Sequence, residues 1–287
     1  MARGLPIWIL LMLTGCDCGS ETLQVEGPNP YVRCLAFDVD EGPLESAGAT
    51  IEGHTLSLEV TKPIQFFSVR ASTLPWLAEN ENDDVLQVVL GGFARDAEEA
   101  VPLLSALAAR GPALLILGGD DDVEVFQDAL DELSAPNLIS LLGVRRVDLG
   151  GATGMVVVHG APNGRYARGD SACGYSPEDL ALLADDGEEG DLLVSWMVPS
   201  SGEMSEGVLG QQAGDDSLAQ LVTDLSLDGG VHAWPTEQAG FRDLEGKRFV
   251  VSVPGGFHVS PEGGRFFGEP LIAGVDGGSW SFGSDSP

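Results

Sequence analysis

Apolar stretches with the length of β-strands alternate with helical patterns through the middle of the chain. Mainly apolar runs occupy residues 64–69, 85–90 and 113–117, and each is short enough for a buried strand. Residues 96–110 and 123–133 instead repeat apolar side chains at the spacing of one helix face. This order predicts βαβ units built around a largely parallel sheet, and therefore an α/β fold.

The flanking segments add further strands and helices. Residues 31–39 (YVRCLAFDV) and 54–60 (HTLSLEV) alternate apolar and polar side chains, which predicts half-buried strands. Ser176 followed by Pro177 is typical of a helix N-cap and first helical position. The other predicted elements are paired strands at VRRVDL and MVVVHG, a buried strand at DLLVSWMV, a helix at DDSLAQLVTDLSL, a strand at GGVHAW, and a tail of strands and glycine-rich loops from Lys247.

These patterns divide the chain into four segments. Residues 1–15 form an export signal, 16–30 a polar tether, 31–63 a β-rich N-terminal extension, and 64–287 the main domain. The extension has two possible arrangements. It forms either an extra edge of a sheet in the main domain or a separate module.

The first segment indicates export from the cytoplasm. Arg3 precedes an apolar stretch from Leu5 to Leu13 that is too short to span a bilayer. The run Leu13, Thr14, Gly15, Cys16 resembles a bacterial lipobox, and this resemblance implies cleavage before Cys16 and acylation of that residue. We therefore expect a lipid-anchored protein of the cell envelope, on the periplasmic or surface side of a bacterial membrane. An ordinary secretory signal with a chance cysteine is the alternative, and the choice between inner and outer membrane stays open.

Composition excludes one class of partner. The chain carries 14 Lys and Arg against 45 Asp and Glu, a formal net charge of −31. Such a surface repels nucleic acid and anionic lipid headgroups, so no nucleic-acid partner is expected and membrane contact is expected through the anchor.

Three cysteines remain besides Cys16. Outside the cytoplasm a disulfide can form, and we favour Cys34 with Cys173 because Cys18 lies in the tether. The alternative is that all three are buried or free thiols. Their spacing matches no zinc pattern.

Candidate chemistry lies at the ends of the predicted strands, where open α/β sheets place their ligands. Five runs end in a candidate site loop. These loops are Ser68–Ala71, Gly91–Gly92, Gly118–Asp122, Ser195–Pro199 and Gly230–Trp234.

In order and spacing, the five loops resemble those of the calcineurin-like metallophosphoesterases between about Ile64 and Gly240. The matching segments are FFSVRAS, VVLGGFARD, LILGGDDD, LLVSWMVPS and GGVHAWPTE, which stand where that family has DxH, GDxxD, GNHD, a lone His near Pro, and GHxH. The resemblance implies two stacked mixed sheets flanked by helices in an α-β-β-α arrangement. It also implies a site at the strand ends that, in active members, holds two metal ions and hydrolyses phosphate esters.

The metal ligands of that family are largely replaced here. In the resemblance, Val69 and Ala71 stand for Asp and His, Gly92 for the bridging Asp, and Trp196 for the lone His. Gly119 and Asp120 stand for the Asn and His of GNHD. In one register of the GHxH loop His232 survives as the second His, and in the other Val231 and Ala233 replace both histidines. The remaining histidines are His54, His159 and His258, none at a ligand position. We therefore expect a non-catalytic domain without a metal cofactor, which binds an unknown protein or small molecule or acts as an envelope scaffold.

Asp120, Asp121 and Asp122 have two interpretations. One is a single hard cation, Ca or Mg, held by Asp120, Asp121 or Asp122 with backbone carbonyls, and with Asp96 as a further candidate ligand. With His232, such a site would make the protein a phosphoesterase with a remodelled mononuclear centre, which is the rival hypothesis. The other interpretation, which we favour, is a helix start, where carboxylates accept hydrogen bonds from free N–H groups, each worth about 0.5 to 1 kcal/mol.

Overall fold

The protein is a mixed α/β structure of several β-sheets flanked by helices. The computed structural model describes residues 30–44, 48–69, 74–79, 85–150, 154–167, 169–200 and 214–234, together with the backbone of the strands between residues 240 and 283. Strands and helices are numbered β1 to β20 and α1 to α5 in chain order. Within the described residues, no helix has the length and apolar character needed to cross a bilayer.

A six-stranded sheet contains the predicted βαβ units. Strands β5 to β8 run parallel, and β19 joins β5 in the antiparallel direction. Every residue of β6 and β7 is buried, as expected for strands covered on both faces. In spatial order the strands are β20 (Ser279–Gly283), β19 (Leu271–Asp276), β5 (Ile64–Phe67), β6 (Leu86–Leu90), β7 (Ala113–Ile116) and β8 (Leu138–Ser140).

A nine-stranded mixed sheet contains most of the remaining strands. Its central strands β10, β13 and β14 run parallel, and β9 pairs with β10 in the antiparallel direction. The N-terminal extension continues this sheet, because β4 pairs with β9. In spatial order the strands are β15 (Gly240–Leu244), β16 (Lys247–Val251), β14 (Gly229–Trp234), β13 (Leu192–Met197), β10 (Gly154–Val158), β9 (Arg146–Asp148), β4 (Thr55–Leu58), β3 (Ala49–Glu52) and β2 (Gly42–Leu44).

Three of the helices, α3, α4 and α5, begin at polar residues whose side chains accept hydrogen bonds from free backbone N–H groups. The carboxylate of Asp122 accepts from Val125 N at 3.0 Å at the start of α3. Ser176 and Asp179 form a reciprocal capping box at α4. The predicted helices at 96–110 and 123–133 are confirmed. The helices are α1 (Leu74–Glu79), α2 (Ala97–Arg110), α3 (Val123–Leu133), α4 (Pro177–Ala181) and α5 (Asp216–Asp224).

The expectation of one strand over residues 31–39 is wrong. Only β1 (Val32–Arg33) is a strand, and a 3-10 turn follows at Cys34–Ala36. Cys34 and Leu35 are both buried although they are adjacent, which a strand with one solvent face does not allow. β1 pairs with β12 (Cys173–Tyr175), which also pairs with β11 (Ala161–Pro162), while β17 (Phe257–Val259) pairs with β18 (Arg265–Phe267).

Candidate functional site

The ends of strands from both large sheets meet at one edge of the molecule. In the six-stranded sheet, β5, β6 and β7 are parallel neighbours, so the loops that follow them lie side by side. In the nine-stranded sheet the same is true of β10, β13 and β14. Gly118 after β7 forms a bridge with Gly160 after β10, and Gly160 N donates to Leu117 O at 2.8 Å. We call the space bounded by Gly91, Gly118 and Gly119 the strand-end cleft.

The indole of Trp196 occupies the strand-end cleft. A Cβ atom built on Gly91 would lie 2.5 Å from Trp196 Cδ1, and one on Gly118 would lie 2.6 Å from Nε1. One on Gly119 would lie 2.3 Å from the Cβ of Ala161 and 2.9 Å from Trp196 Cζ3. Trp196 is only 5% exposed, and its ring meets Tyr166 edge to face at 5.5 Å between centroids. The three glycines therefore leave room for the indole and for no side chain of their own.

Asp121 joins the loops after β6 and β7. Its carboxylate accepts hydrogen bonds from Gly92 N at 2.8 Å, Ala94 N at 2.8 Å and Gly118 N at 2.7 Å. The side chain is fully buried. Burial raises the pKa of Asp121 to about 7, the negative charge of Asp120 acts in the same direction, and the three N–H groups lower the pKa. These contacts make Asp121 a brace between two loops.

The neighbouring aspartates have different partners. Asp120 Oδ2 lies 2.8 Å from Arg95 Nε, and both side chains are partly exposed. Asp122 caps α3, as the helix-start interpretation expected. The three carboxylates thus serve an ion pair, a loop brace and a helix cap. Sequence reasoning missed the role of Arg95, because its partner lies on the loop of a different strand.

Two buried histidines lie close to this edge of the molecule. His159 accepts from Leu117 N through Nδ1 at 3.1 Å, and its Nε2 donates to Leu141 O at 2.7 Å. His232 Nδ1 lies 2.8 Å from Ser195 Oγ, and Ser195 donates to Met197 O at 2.5 Å. Burial lowers the pKa of His159 to about 4 and that of His232 to about 3, so both rings are neutral near pH 7.

The other expected site positions are apolar, lack a side chain or lie outside the described residues. Val69 is buried after β5, and Gly92 contributes only its N–H to Asp121. Ala71 and Cys16 lie outside the described residues, as does the side chain of Trp234.

A disulfide lies next to the loop that carries Asp120, Asp121 and Asp122. Cys34 and Cys173 are joined, with 5.7 Å between their Cα atoms and 139 residues between them in sequence. Cys173 N donates to Asp121 O at 3.0 Å, so the bridged strand β12 supports this loop directly. Both cysteines are fully buried.

The donor set does not fit the binuclear centre of the metallophosphoesterases. Both carboxylate oxygens of Asp121 already accept hydrogen bonds from backbone N–H groups. The indole of Trp196 packs against glycines at positions where metal ligands would be needed. In the part of the chain that the structure describes, no group of three His, Cys, Asp or Glu side chains could hold a metal ion.

Comparisons with known proteins give limited information. No family model matches the sequence, and no curated protein matches it. One similar solved structure has a TM-score of 0.49 and 12% sequence identity, and the likeness covers 66% of this chain and 89% of that chain. A likeness of this size identifies neither a family nor an activity.

Proposed function

We propose that this protein is an exported, lipid-anchored envelope protein whose main domain has the calcineurin-like metallophosphoesterase fold without its catalytic metals. In this proposal the domain binds a partner or acts as a scaffold, and it does not hydrolyse phosphate esters. The arrangement of two mixed sheets whose parallel strand ends meet at one edge supports the fold.

One observation carries the non-catalytic part of the proposal. The Trp196 indole lies against Gly91, Gly118 and Gly119. The resemblance assigns the metals and the phosphate to these same loops. Removing the indole would not supply ligands, because the residues beneath it are glycines. The lack of metal ligands at these glycines and the presence of the Trp196 indole both argue against a metal site that is only temporarily blocked.

The rival hypothesis needs Asp120, Asp121, Asp122 and His232 to share one cation. Asp121 is committed to three N–H groups, Asp122 to Val125 N, and His232 Nδ1 to Ser195. Asp120, paired with Arg95, and Asp122, which caps α3 through Oδ1, keep partly exposed carboxylates. Two such carboxylates, each already partnered, are a weak site for Ca or Mg, which prefer six or more oxygen ligands.

Metal analysis and a phosphatase assay test the proposal together. Full-length protein, purified in a neutral detergent and dialysed against Mn²⁺, should retain far less than one metal ion per chain. It should also hydrolyse an aryl phosphate no faster than buffer with Mn²⁺.

One pair of variants makes the opposite result decisive. Asp120→Asn removes the carboxylate that pairs with Arg95, and Asp185→Asn removes one exposed charge elsewhere. Bound metal and turnover that Asp120→Asn abolishes and Asp185→Asn preserves would overturn the proposal in favour of a mononuclear phosphoesterase.

A further inference from the structure

A groove of about 530 Å³ lies along one side of the molecule, away from the loops of the strand-end cleft. Residues 37–40 line one part of it and residues 138–140 another, with Ile51 and Leu142 also in its lining. We call this the edge groove. From these contacts we propose that it binds an extended, cationic peptide segment of a partner protein, which pairs with β8 as an added strand.

The first support is the position of β8 at the end of its sheet. β8 pairs with β7 on one side and is the last strand in the order of the six-stranded sheet. The register with β7 directs the N–H and C=O of Ile139 toward β7, and so directs those of Ser140 to the opposite side. Such an edge can pair with an extended chain.

The second support is the alternation along the facing segment. Phe37 and Val39 are half-buried, whereas Asp38 and Asp40 are exposed. Leu44, which also lines the groove, belongs to β2, the last strand of the nine-stranded sheet. Apolar side chains and carboxylates therefore alternate along this part of the groove with a period of two residues, which is the period of side chains along a β-strand.

Charge decides which occupant is favoured. Two exposed carboxylates on a chain of net charge −31 attract basic side chains and repel a second copy of the same protein. The tether of this chain is also disfavoured, because residues 17–29 contain Asp17, Glu21 and Glu26 and no Lys or Arg. A segment that alternates basic and apolar residues satisfies both the carboxylates and the apolar lining. This inference does not depend on the lipid anchor or on the phosphoesterase resemblance.

Titration with a short synthetic peptide of alternating lysine and valine tests the proposal on the full-length protein in neutral detergent. We expect saturable binding that weakens as salt is raised. The double variant Asp38→Asn/Asp40→Asn should weaken it about fivefold, from the loss of two partly exposed ion pairs. The matched control Asp185→Asn/Asp228→Asn removes the same charge at exposed positions that do not line the groove, and should bind as the wild type does.

Backbone pairing is tested separately from charge. Ser140→Pro removes the outward N–H of β8, and Ser140→Ala removes the same hydroxyl, which accepts from Leu142 N, but keeps the N–H. Binding should fall in the proline variant and persist in the alanine variant. A lysine–valine peptide N-methylated at alternate residues should also bind more weakly to the unaltered protein, which covers the case in which Ser140→Pro does not fold.

Four outcomes would overturn the proposal. The first three are the absence of binding, equal weakening by the two double variants, and equal binding of a lysine–serine peptide, which would show that the attraction is unspecific charge alone. Equal binding of a glutamate–valine peptide would likewise exclude the stated partner chemistry.

Discussion

The indole of Trp196 leaves no space for a side chain at Gly118. The three atoms nearest to a Cβ at Gly118 would all belong to the indole, at 2.6, 2.9 and 3.0 Å. We therefore expect Gly118→Ala to lower the free energy of unfolding by about 1 to 3 kcal/mol, as other overpacking changes do. In a Trp196→Ala background the same change should cost much less, since the space is then open. Urea denaturation of the four proteins of this double-mutant cycle measures the coupling.

The control for this cycle is another glycine. Gly169→Ala should leave stability unchanged in both backgrounds, because nothing lies within 4 Å of a Cβ at that position. An equal cost of Gly118→Ala with and without the indole would show that the ring does not fill the strand-end cleft.

Asp122 and Asp121 show which side-chain contacts the sequence predicts and which it does not. A cap at Asp122 is a local feature, since its partner Val125 lies three positions ahead, and the sequence predicts it. The partners of Asp121 include Gly92 and Ala94, which are 29 and 27 positions away on another loop. Sequence spacing carries no signal for that brace, so the carboxylate could be mistaken for a metal ligand.

At the scale of elements, His159 connects the ends of three strands. It follows β10 in the nine-stranded sheet and bonds to Leu117 after β7 and Leu141 after β8 in the six-stranded sheet. Its Nδ1 can accept from Leu117 only while the ring is neutral. Burial lowers its pKa to about 4 from an ordinary value of 6.5. The unfolded chain therefore binds a proton between these values and the folded protein does not.

This difference predicts a specific pH dependence of stability. The contribution of His159 should be complete above pH 6.5 and should decline as the pH falls toward 4, by a total of about 3 kcal/mol. Urea denaturation of the wild type and of His159→Gln across this window measures it, and the stability difference between the two proteins should shrink with falling pH. Asp121, with its raised pKa, contributes the opposite slope, but it is present in both proteins and cancels. Parallel curves for the two proteins would contradict the prediction.

Element prediction succeeded where the periodic pattern is local and failed where long-range pairing decides. Helix α3 begins and ends where the pattern of residues 123–133 places it. In residues 31–39, by contrast, Cys34 forms a disulfide with Cys173, and the adjacent residues Cys34 and Leu35 are both buried. This interrupts the alternation of buried and exposed side chains that predicted a strand. Nothing local indicates that β19 pairs with β5, more than 200 positions earlier in the chain.

At the scale of the whole molecule, the net negative charge and the proposed lipid anchor have opposite effects on membrane attachment. A net charge of −31 opposes adsorption to anionic headgroups, so electrostatics would not hold this domain on a membrane. The lipid anchor proposed at Cys16 would supply a different kind of attachment, in which each buried methylene of an acyl chain contributes about 0.8 kcal/mol. The two kinds of attachment differ in their response to salt.

Fractionation of a bacterial host that processes lipoproteins tests the anchor through that difference. Wild-type protein should incorporate a fatty-acid probe and stay in the membrane fraction in high salt, because screening of charges does not weaken apolar insertion. Cys16→Ser should lose the label and move to the soluble fraction, since the acidic domain alone is repelled by the membrane. Cys18→Ser, two positions away in the tether, is the matched control and should behave as the wild type does. Labelling that survives in Cys16→Ser, or release of the wild type by salt alone, would exclude a lipid anchor at this residue.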